Sequence, residues 1–121
     1  MDPNWISIGA FGAALAVIAG AFGAHGLSGR LDAHHLSLWE TAARYLMYGS
    51  LSLVLLGLAA RGATRSFSAA GWCVAIGTLV FSGTVAGLAL GGPGILGAIT
   101  PLGGLLLIAG LVLFGWASIG L

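Results

Sequence analysis

The residues of this sequence that could do chemistry lie almost entirely between positions 25 and 50. This stretch contains a histidine, an acid, a base and two tyrosines, namely His25, Glu40, Arg44, Tyr45 and Tyr48. Glu40 and Arg44 are four residues apart with the acid first, which is the favourable order for an ion pair on one helix. Such a group could line a polar pocket for a lipid headgroup, a quinone or an ion. The stretch therefore predicts a candidate polar cluster of these five residues.

The same residues also have a structural interpretation. Ser37 and Glu40 match a capping box, in which a hydroxyl and a carboxylate satisfy the free amides at the start of a helix. Arg44 would then simply be the ion-pair partner of Glu40. His25 would lie at the end of the first helix and hydrogen-bond to polar groups at the start of the second. Both interpretations are open at this point.

Other catalytic and ligand-binding patterns are missing from the sequence. His34 and His35 are adjacent, so on a helix they point about 100° apart and cannot chelate one ion at the usual i,i+4 spacing. The glycines of residues 20–27 follow no predicted strand, so they are not a dinucleotide fingerprint. A net charge of +1 provides no basic face for nucleic acid. We therefore expect no enzymatic activity, no cofactor, no metal site and no nucleic-acid partner.

The elements that must position these residues are membrane-spanning helices. Of the 121 residues, 59% are hydrophobic and 6% are charged, whereas soluble domains have roughly 25% charged residues. About 20 apolar residues are enough to cross a bilayer, and four such stretches are present, at about 5–27, 38–60, 67–91 and 95–118. The predicted fold class is an all-α, integral membrane four-helix bundle with short connections, in which residues 1–121 form a single transmembrane domain.

Small residues are expected to mark the contacts between these helices. In lipid, they let helix backbones approach closely and gain van der Waals contact. They recur at four-residue spacing in the first and third spans, and the expected packing positions are Gly12, Ala16, Gly20, Ala24, Gly83 and Gly87. We therefore expect the first helix to lie inside the bundle, against the third.

The fourth span contains a proline. Pro101 has no backbone N–H, so it removes one helical hydrogen bond and predicts a kink. The preceding Thr100 is expected to satisfy the carbonyl that the proline leaves free. We interpret this pair of residues as structural.

The orientation in the membrane is predicted from the short loops. Arg61 and Arg65 lie in the second loop without an accompanying acid. An excess of basic residues favours the cytoplasmic side. The second loop and both termini are therefore expected in the cytoplasm.

Four segments together resemble one known family. They are GAFGAHGL at 20–27, WETAARY at 39–45, FSG at 81–83 and ITPLGG at 99–104, in the order and spacing of that family. The chain resembles the small integral membrane proteins of the domain-of-unknown-function 423 family, which implies a four-helix membrane fold and no established activity. Because such proteins are found in bacteria, the resemblance also implies a location in the bacterial inner membrane. Relatives usually have glutamine and histidine where this chain has Leu46 and Gly49. If the family uses a histidine pair across the first two helices, the resemblance implies that this chain retains only His25 of it.

Three functions are compatible with these features. The first is a structural or accessory subunit that packs in a larger membrane complex or a homo-oligomer, with membrane lipids and other subunits or itself as partners. The second is a small transporter or channel whose path is marked by His25, Glu40 and Arg44. The third is a lipid- or quinone-binding protein that uses Arg44, Tyr45 and Tyr48. The small-residue stripes and the scarcity of polar residues in the spans favour the first function.

Overall fold

A computed structural model describes residues 2–121 of the chain. It contains four α-helices, α1 (Trp5–Phe22), α2 (Ala33–Ala60), α3 (Ser68–Ala89) and α4 (Ile95–Ser118). A π-helical turn, Gly23–Leu27, directly continues α1. No strand occurs among the described residues, and all four helices are long and apolar enough to cross a membrane. The predicted all-α, four-helix membrane fold is confirmed.

Each helix packs mainly against the next helix in the chain. α2 lies between α1 and α3, and α3 packs against α4. α1 and α3 meet where they begin, and there the rings of Trp5 and Trp72 pack edge to face with centroids 5.2 Å apart. The prediction that α1 packs inside against α3 is therefore wrong. Short connections favour packing of consecutive helices, and α1 accordingly lies at one side of the bundle against α2.

Close contact between α3 and α4 depends on glycines. A Cβ atom added to Gly110 would lie 2.6 Å from the backbone nitrogen of Val74, and one added to Gly103 would lie 2.5 Å from that of Phe81. Real Cβ atoms do not approach backbone atoms so closely. The absence of side chains at these two positions therefore sets the distance between the two helices, as is typical of packing in membranes.

The small-residue stripe of α1 packs along only part of its length. Gly12 lies against the side chain of Ser50 on α2, and Ala16 is buried. Gly20 has no atom within 4 Å of the position of a Cβ, and Ala24 is exposed. The expectation that Gly20 and Ala24 pack within the chain is wrong. A stripe at four-residue spacing advances about 40° around the helix per step, so its far end turns away from a straight neighbour.

On α3 the two predicted packing positions differ in the same way. A Cβ on Gly87 would lie 2.7 Å from the side chain of Leu96 on α4. Gly83, one turn earlier, is exposed and has no such neighbour, so its predicted packing within the chain is wrong. The 40° offset between these two positions turns Gly83 out of the contact with α4.

The α2 helix begins earlier than the sequence suggests. Asp32 is its N-cap, and one carboxylate oxygen of Asp32 accepts a 2.8 Å hydrogen bond from the backbone N–H of His35. The proposed capping box of Ser37 and Glu40 is therefore wrong, because both residues already lie inside the helix. A carboxylate at the N-cap performs the same task about one turn earlier.

The α4 helix continues through Pro101. The proline leaves the carbonyl of Gly97 without its usual partner, but the Thr100 hydroxyl donates at 2.8 Å to the carbonyl of Leu96. The expectation that Thr100 satisfies the freed carbonyl is therefore wrong. Its Oγ1 lies 2.6 Å from the hydroxyl of Thr84, so Thr100 links α4 to α3 instead. The kink at Pro101 stays a prediction.

Candidate binding groove and polar face

The predicted polar cluster does not converge on one pocket. The rings of Tyr45 and Tyr48 pack edge to face with centroids 5.2 Å apart, and Tyr45 also packs against Phe81 of α3 at 4.8 Å. Glu40, Arg44 and Tyr48 are exposed on the outside of α2. His25 is exposed on the π-helical turn, away from this packing. We refer to Glu40, Arg44 and Tyr48 as the polar face of α2.

The hydrogen bonds expected for the cluster do not form. Among the described residues the single contact between an acidic and a basic side chain is a hydrogen bond between His35 and Asp32, with Nδ1 and the carboxylate oxygen 2.8 Å apart. Glu40 and Arg44 therefore lack the expected ion pair within the chain. His25 makes no hydrogen bond to any described residue, so the prediction that it hydrogen-bonds to polar groups at the start of α2 is wrong.

The contact between Asp32 and His35 is a local feature at the start of α2. The pKa of Asp32 is lowered, first by the hydrogen bond from the backbone N–H of His35 and second by the bond to the His35 ring. Both donors favour the ionised carboxylate. Because Asp32 is exposed, this arrangement stabilises a helix end and does not create a reactive group.

No metal site is assembled from the usual ligands. Within residues 2–121, no three His, Cys, Asp or Glu side chains come together in a way that could hold an ion. Cys73 is partly buried and unpaired. The expectations of no metal, no cofactor and no enzymatic activity stay predictions.

A groove lies on the opposite side of α2 from the polar face. It has a cavity volume of about 240 Å³ and opens between α1 and α3, with α2 as its floor. Its walls are almost entirely apolar, and they are formed by Leu15, Ala19, Trp39, Ala42, Ala43, Leu46, Leu79, Ser82, Gly83 and Ala86. Its position follows from the packing order, because α1 and α3 both contact α2 but separate from each other after their first turns.

The end of the groove near the π-helical turn is fixed by Trp39. The indole N–H donates a 2.8 Å hydrogen bond to the carbonyl of Ala19 on α1. A Cβ on Gly23 would lie 2.6 Å from the indole ring, so only glycine leaves room for Trp39 here. This contact explains one glycine of the GAFGAHGL segment, whereas His25 in the same segment points outward.

One groove residue is polar. Ser82 is 6% exposed, and its hydroxyl has no hydrogen-bond partner among the described residues. The hydroxyl of Thr78, one turn earlier on α3, is likewise buried without a partner. A buried hydroxyl without a partner costs free energy. A hydrogen-bond partner for Ser82 would therefore stabilise this part of the groove wall.

The groove is not predicted from the sequence. The adjacent alanines at 42 and 43 and the small residues at 83 and 86 are its sequence signals. They were not distinguishable from ordinary helix-packing residues, because an outward Gly83 and an inward Gly87 belong to the same stripe.

Comparison with known proteins places the chain in a family. The model of the family described as "Protein of unknown function (DUF423)" matches residues 19–104. A UPF0382 membrane protein of Staphylococcus epidermidis is 46% identical over 106 residues, which cover 88% of this chain and 87% of the relative. A UPF0382 membrane protein of Staphylococcus aureus is 42% identical over 109 residues, covering 90% and 89%. No solved structure matches the chain. With four membrane-spanning helices and these relatives, the chain is a membrane protein that belongs to the DUF423 family.

Proposed function

We propose that this protein is a non-enzymatic structural or accessory subunit that holds a transmembrane helix of a partner in the groove between α1 and α3. The observation that carries the proposal is the groove itself, an apolar cavity of about 240 Å³ that faces the membrane. Other subunits of a larger membrane complex or a second copy of the chain are its candidate partners.

The chemistry of the groove walls supports a helix as the occupant. Helices associate in lipid through van der Waals packing, which small residues improve because they let two backbones approach. Ala42 and Ala43 on the floor and Gly83 and Ala86 on one wall are all small. The hydroxyl of Ser82 could hydrogen-bond to a backbone carbonyl or hydroxyl of the incoming helix after a change of rotamer. These small residues would let a second helix pack closely over the groove and place one or two of its side chains inside it.

The two alternative functions have less support. A transporter path would need polar residues around one cavity, but His25, Glu40 and Arg44 all lie outside the groove. A site for a quinone or a lipid headgroup would need a few polar groups that fix its orientation. Arg44, Tyr45 and Tyr48 do not line the groove, so it offers only Ser82 for this purpose.

The test is affinity purification of the tagged protein from its native membranes in mild detergent, with a variant that fills the groove. Gly83→Leu places a large side chain in the groove, and its Cβ would have no atom of a neighbouring helix within 4 Å. Gly115→Leu on α4 is the matched control, since Gly115 is also exposed with open space around it and lies outside the groove. We expect a stoichiometric protein partner that is retained by Gly115→Leu and lost in Gly83→Leu.

Two results would contradict the proposal. One is a partner that remains bound to Gly83→Leu at the wild-type level. The other is a protein that purifies with a lipid or quinone that Gly83→Leu displaces, which would support the third function. Mass spectrometry of both the protein and the lipid extract distinguishes these results.

We further propose that the protein lies in the bacterial inner membrane with the second loop and both termini in the cytoplasm. Arg61 and Arg65 in that loop support this orientation through the positive-inside rule. Arg65 also donates a 3.0 Å hydrogen bond to the carbonyl of Trp116 at the end of α4, so the basic loop and the C-terminal helix end share one face. Fluorescent-protein and alkaline-phosphatase fusions at the C-terminus test the orientation, because only the first is active in the cytoplasm.

A further inference from the structure

The polar face of α2 contains two opposite charges that have no partner within the chain. Glu40 and Arg44 are the only acid and the only arginine or lysine inside the four helices. Both are exposed, and neither forms a salt bridge with a described residue. Charges inside membrane-spanning segments almost always pair with other groups. The polar face therefore leaves two opposite charges available to a partner from outside the chain.

Arg44 is exposed on the outside of α2, but it lies far from the ends of the helices along their axes. The neighbouring Tyr45 packs against Phe81, and the Phe81 backbone lies beside Gly103. Phe81 is eight residues before the end of α3, so at about 1.5 Å per residue this level is roughly 12 Å from the helix end. A second protein helix that packs along α2 can therefore reach Arg44 at the same depth.

The order of the two charges makes the face complementary to itself. Copies of one chain share the same orientation in a membrane, so a two-fold axis along the membrane normal places Glu40 and Arg44 of both copies at matching depths. Helical side chains lean toward the N-terminus, so Arg44 leans toward the level of Glu40, one turn away. Each Arg44 can thus meet Glu40 of the second copy, and the contact occurs twice.

The remainder of the outward surface suits close helix packing. Tyr48, Leu51, Leu55 and Leu58 are each about half exposed, and their spacing of three, four and three residues continues the line of Arg44 along α2. This spacing produces the left-handed crossing that is common among membrane helices. The apolar residues would extend the contact to the other end of α2.

We infer that α2 packs against α2 of a second copy of this chain, with reciprocal Glu40–Arg44 ion pairs across a two-fold axis. At 100° per residue, Arg44 lies about 140° around the helix from Trp39 of the groove. The self-association surface and the groove are therefore different sides of α2. The inference does not depend on what occupies the groove.

The test is a charge swap in trans. The full chain is expressed in one membrane with two different affinity tags, and capture of one tag is scored by recovery of the other. Glu40→Arg alone or Arg44→Glu alone places like charges across the axis, which should reduce recovery by at least about tenfold. When one tagged chain carries Glu40→Arg and the other carries Arg44→Glu, every charge again faces its opposite, and recovery should return.

The recovery in trans separates an ion pair between chains from one within a chain. A double variant with both changes would restore either kind of pair, but the mixture of two single variants restores only a pair between chains. Leu102→Arg is the control for a misplaced charge, since Leu102 is exposed on α4 beside Gly103 at the same depth. It should leave recovery unchanged.

Failure of either single variant to fold is addressed by a second measurement that keeps both charges. In a Cys73→Ser background, Leu55→Cys on the α2 surface should form a disulfide-linked dimer on mild oxidation. Leu102→Cys should not, because Leu102 is exposed on α4, outside both the α2 surface and the groove. The inference is overturned if wild-type tags do not recover each other, if the single variants associate normally, if the trans mixture stays unassociated, or if Leu55→Cys remains monomeric.

Discussion

Gly110 provides a direct test of how α3 and α4 pack. In Gly110→Ala the new methyl group would lie 2.6 Å from the backbone nitrogen of Val74 and 2.7 Å from its Cγ2. The first distance is about 0.8 Å short of the 3.4 Å at which ordinary contact begins. Val74 is fully buried, so it has no open space to move into and the helices must separate instead. A radial gap of this size removes roughly a quarter to a half of the attraction between the separated atoms.

The expected loss of stability is about 1–3 kcal/mol, the usual cost of overpacking a well-packed contact. Equilibrium unfolding in mixed micelles with increasing sodium dodecyl sulfate, followed by circular dichroism, measures it. Gly115→Ala is the matched control, because it lies on the same helix with nothing within 4 Å of the new methyl group. Its unfolding midpoint should lie at the same sodium dodecyl sulfate concentration as that of the wild type or slightly higher, since alanine has a higher helix propensity than glycine. If Gly110→Ala unfolds together with Gly115→Ala, the tight contact between α3 and α4 is refuted.

Two further predictions concern the N-terminal part of α2. Trp39→Phe removes the indole N–H that bonds to the carbonyl of Ala19, and it should reduce the free energy of unfolding by about 0.5–1.5 kcal/mol. Trp116→Phe is the control, because Trp116 is exposed, and it should leave the free energy of unfolding unchanged. Equal effects of the two variants in the same unfolding assay would count against the hydrogen bond. Because the pKa of Asp32 is lowered in the folded chain, its cap stabilises α2 above the ordinary pKa of an aspartate and is lost as pH falls through the lowered value. The protection of the His35 and Leu36 amides against hydrogen exchange, taken relative to the intrinsic exchange rate at each pH, should therefore fall at about pH 4 and below. Asp32→Asn, which caps without a titrating carboxyl, should show no such dependence, and identical protection profiles would exclude the carboxylate cap.

The four helices could be predicted from the sequence because the membrane imposes a simple requirement. Every backbone polar group must be satisfied internally, so long apolar stretches separated by Gly, Pro and charged residues have one solution. The GGPG segment at 91–94 accordingly separates α3 from α4. The start of α2 was less predictable, because Asp32 and Ser37 are both good N-cap residues and the apolar pattern does not choose between them.

The facing of each helix could not be predicted in the same way. In water, the side of a helix that is buried differs in polarity from the exposed side, but both sides of a membrane helix are apolar. Gly103 and Gly115 are both glycines within the apolar sequence of α4, and nothing in that sequence distinguishes their environments. However, Gly103 contacts the Phe81 backbone, whereas Gly115 faces open space. The groove likewise depends on Gly83 facing outward while Gly87 packs against Leu96, and the sequence does not distinguish these two glycines.

The opposed surfaces of α2 connect these observations. Trp39, Ala42 and Ala43 belong to the groove, whereas Glu40 and Arg44 belong to the polar face, and the two sets alternate along the same two turns. Since neighbouring residues are about 100° apart, a helix can present different chemistry to two partners without lengthening. If both proposals hold, filling the groove with Gly83→Leu should leave self-association intact, and the charge change Glu40→Arg should leave the groove occupant bound. A variant that abolished both interactions would instead indicate that they share one surface, which would contradict the separation of the two faces.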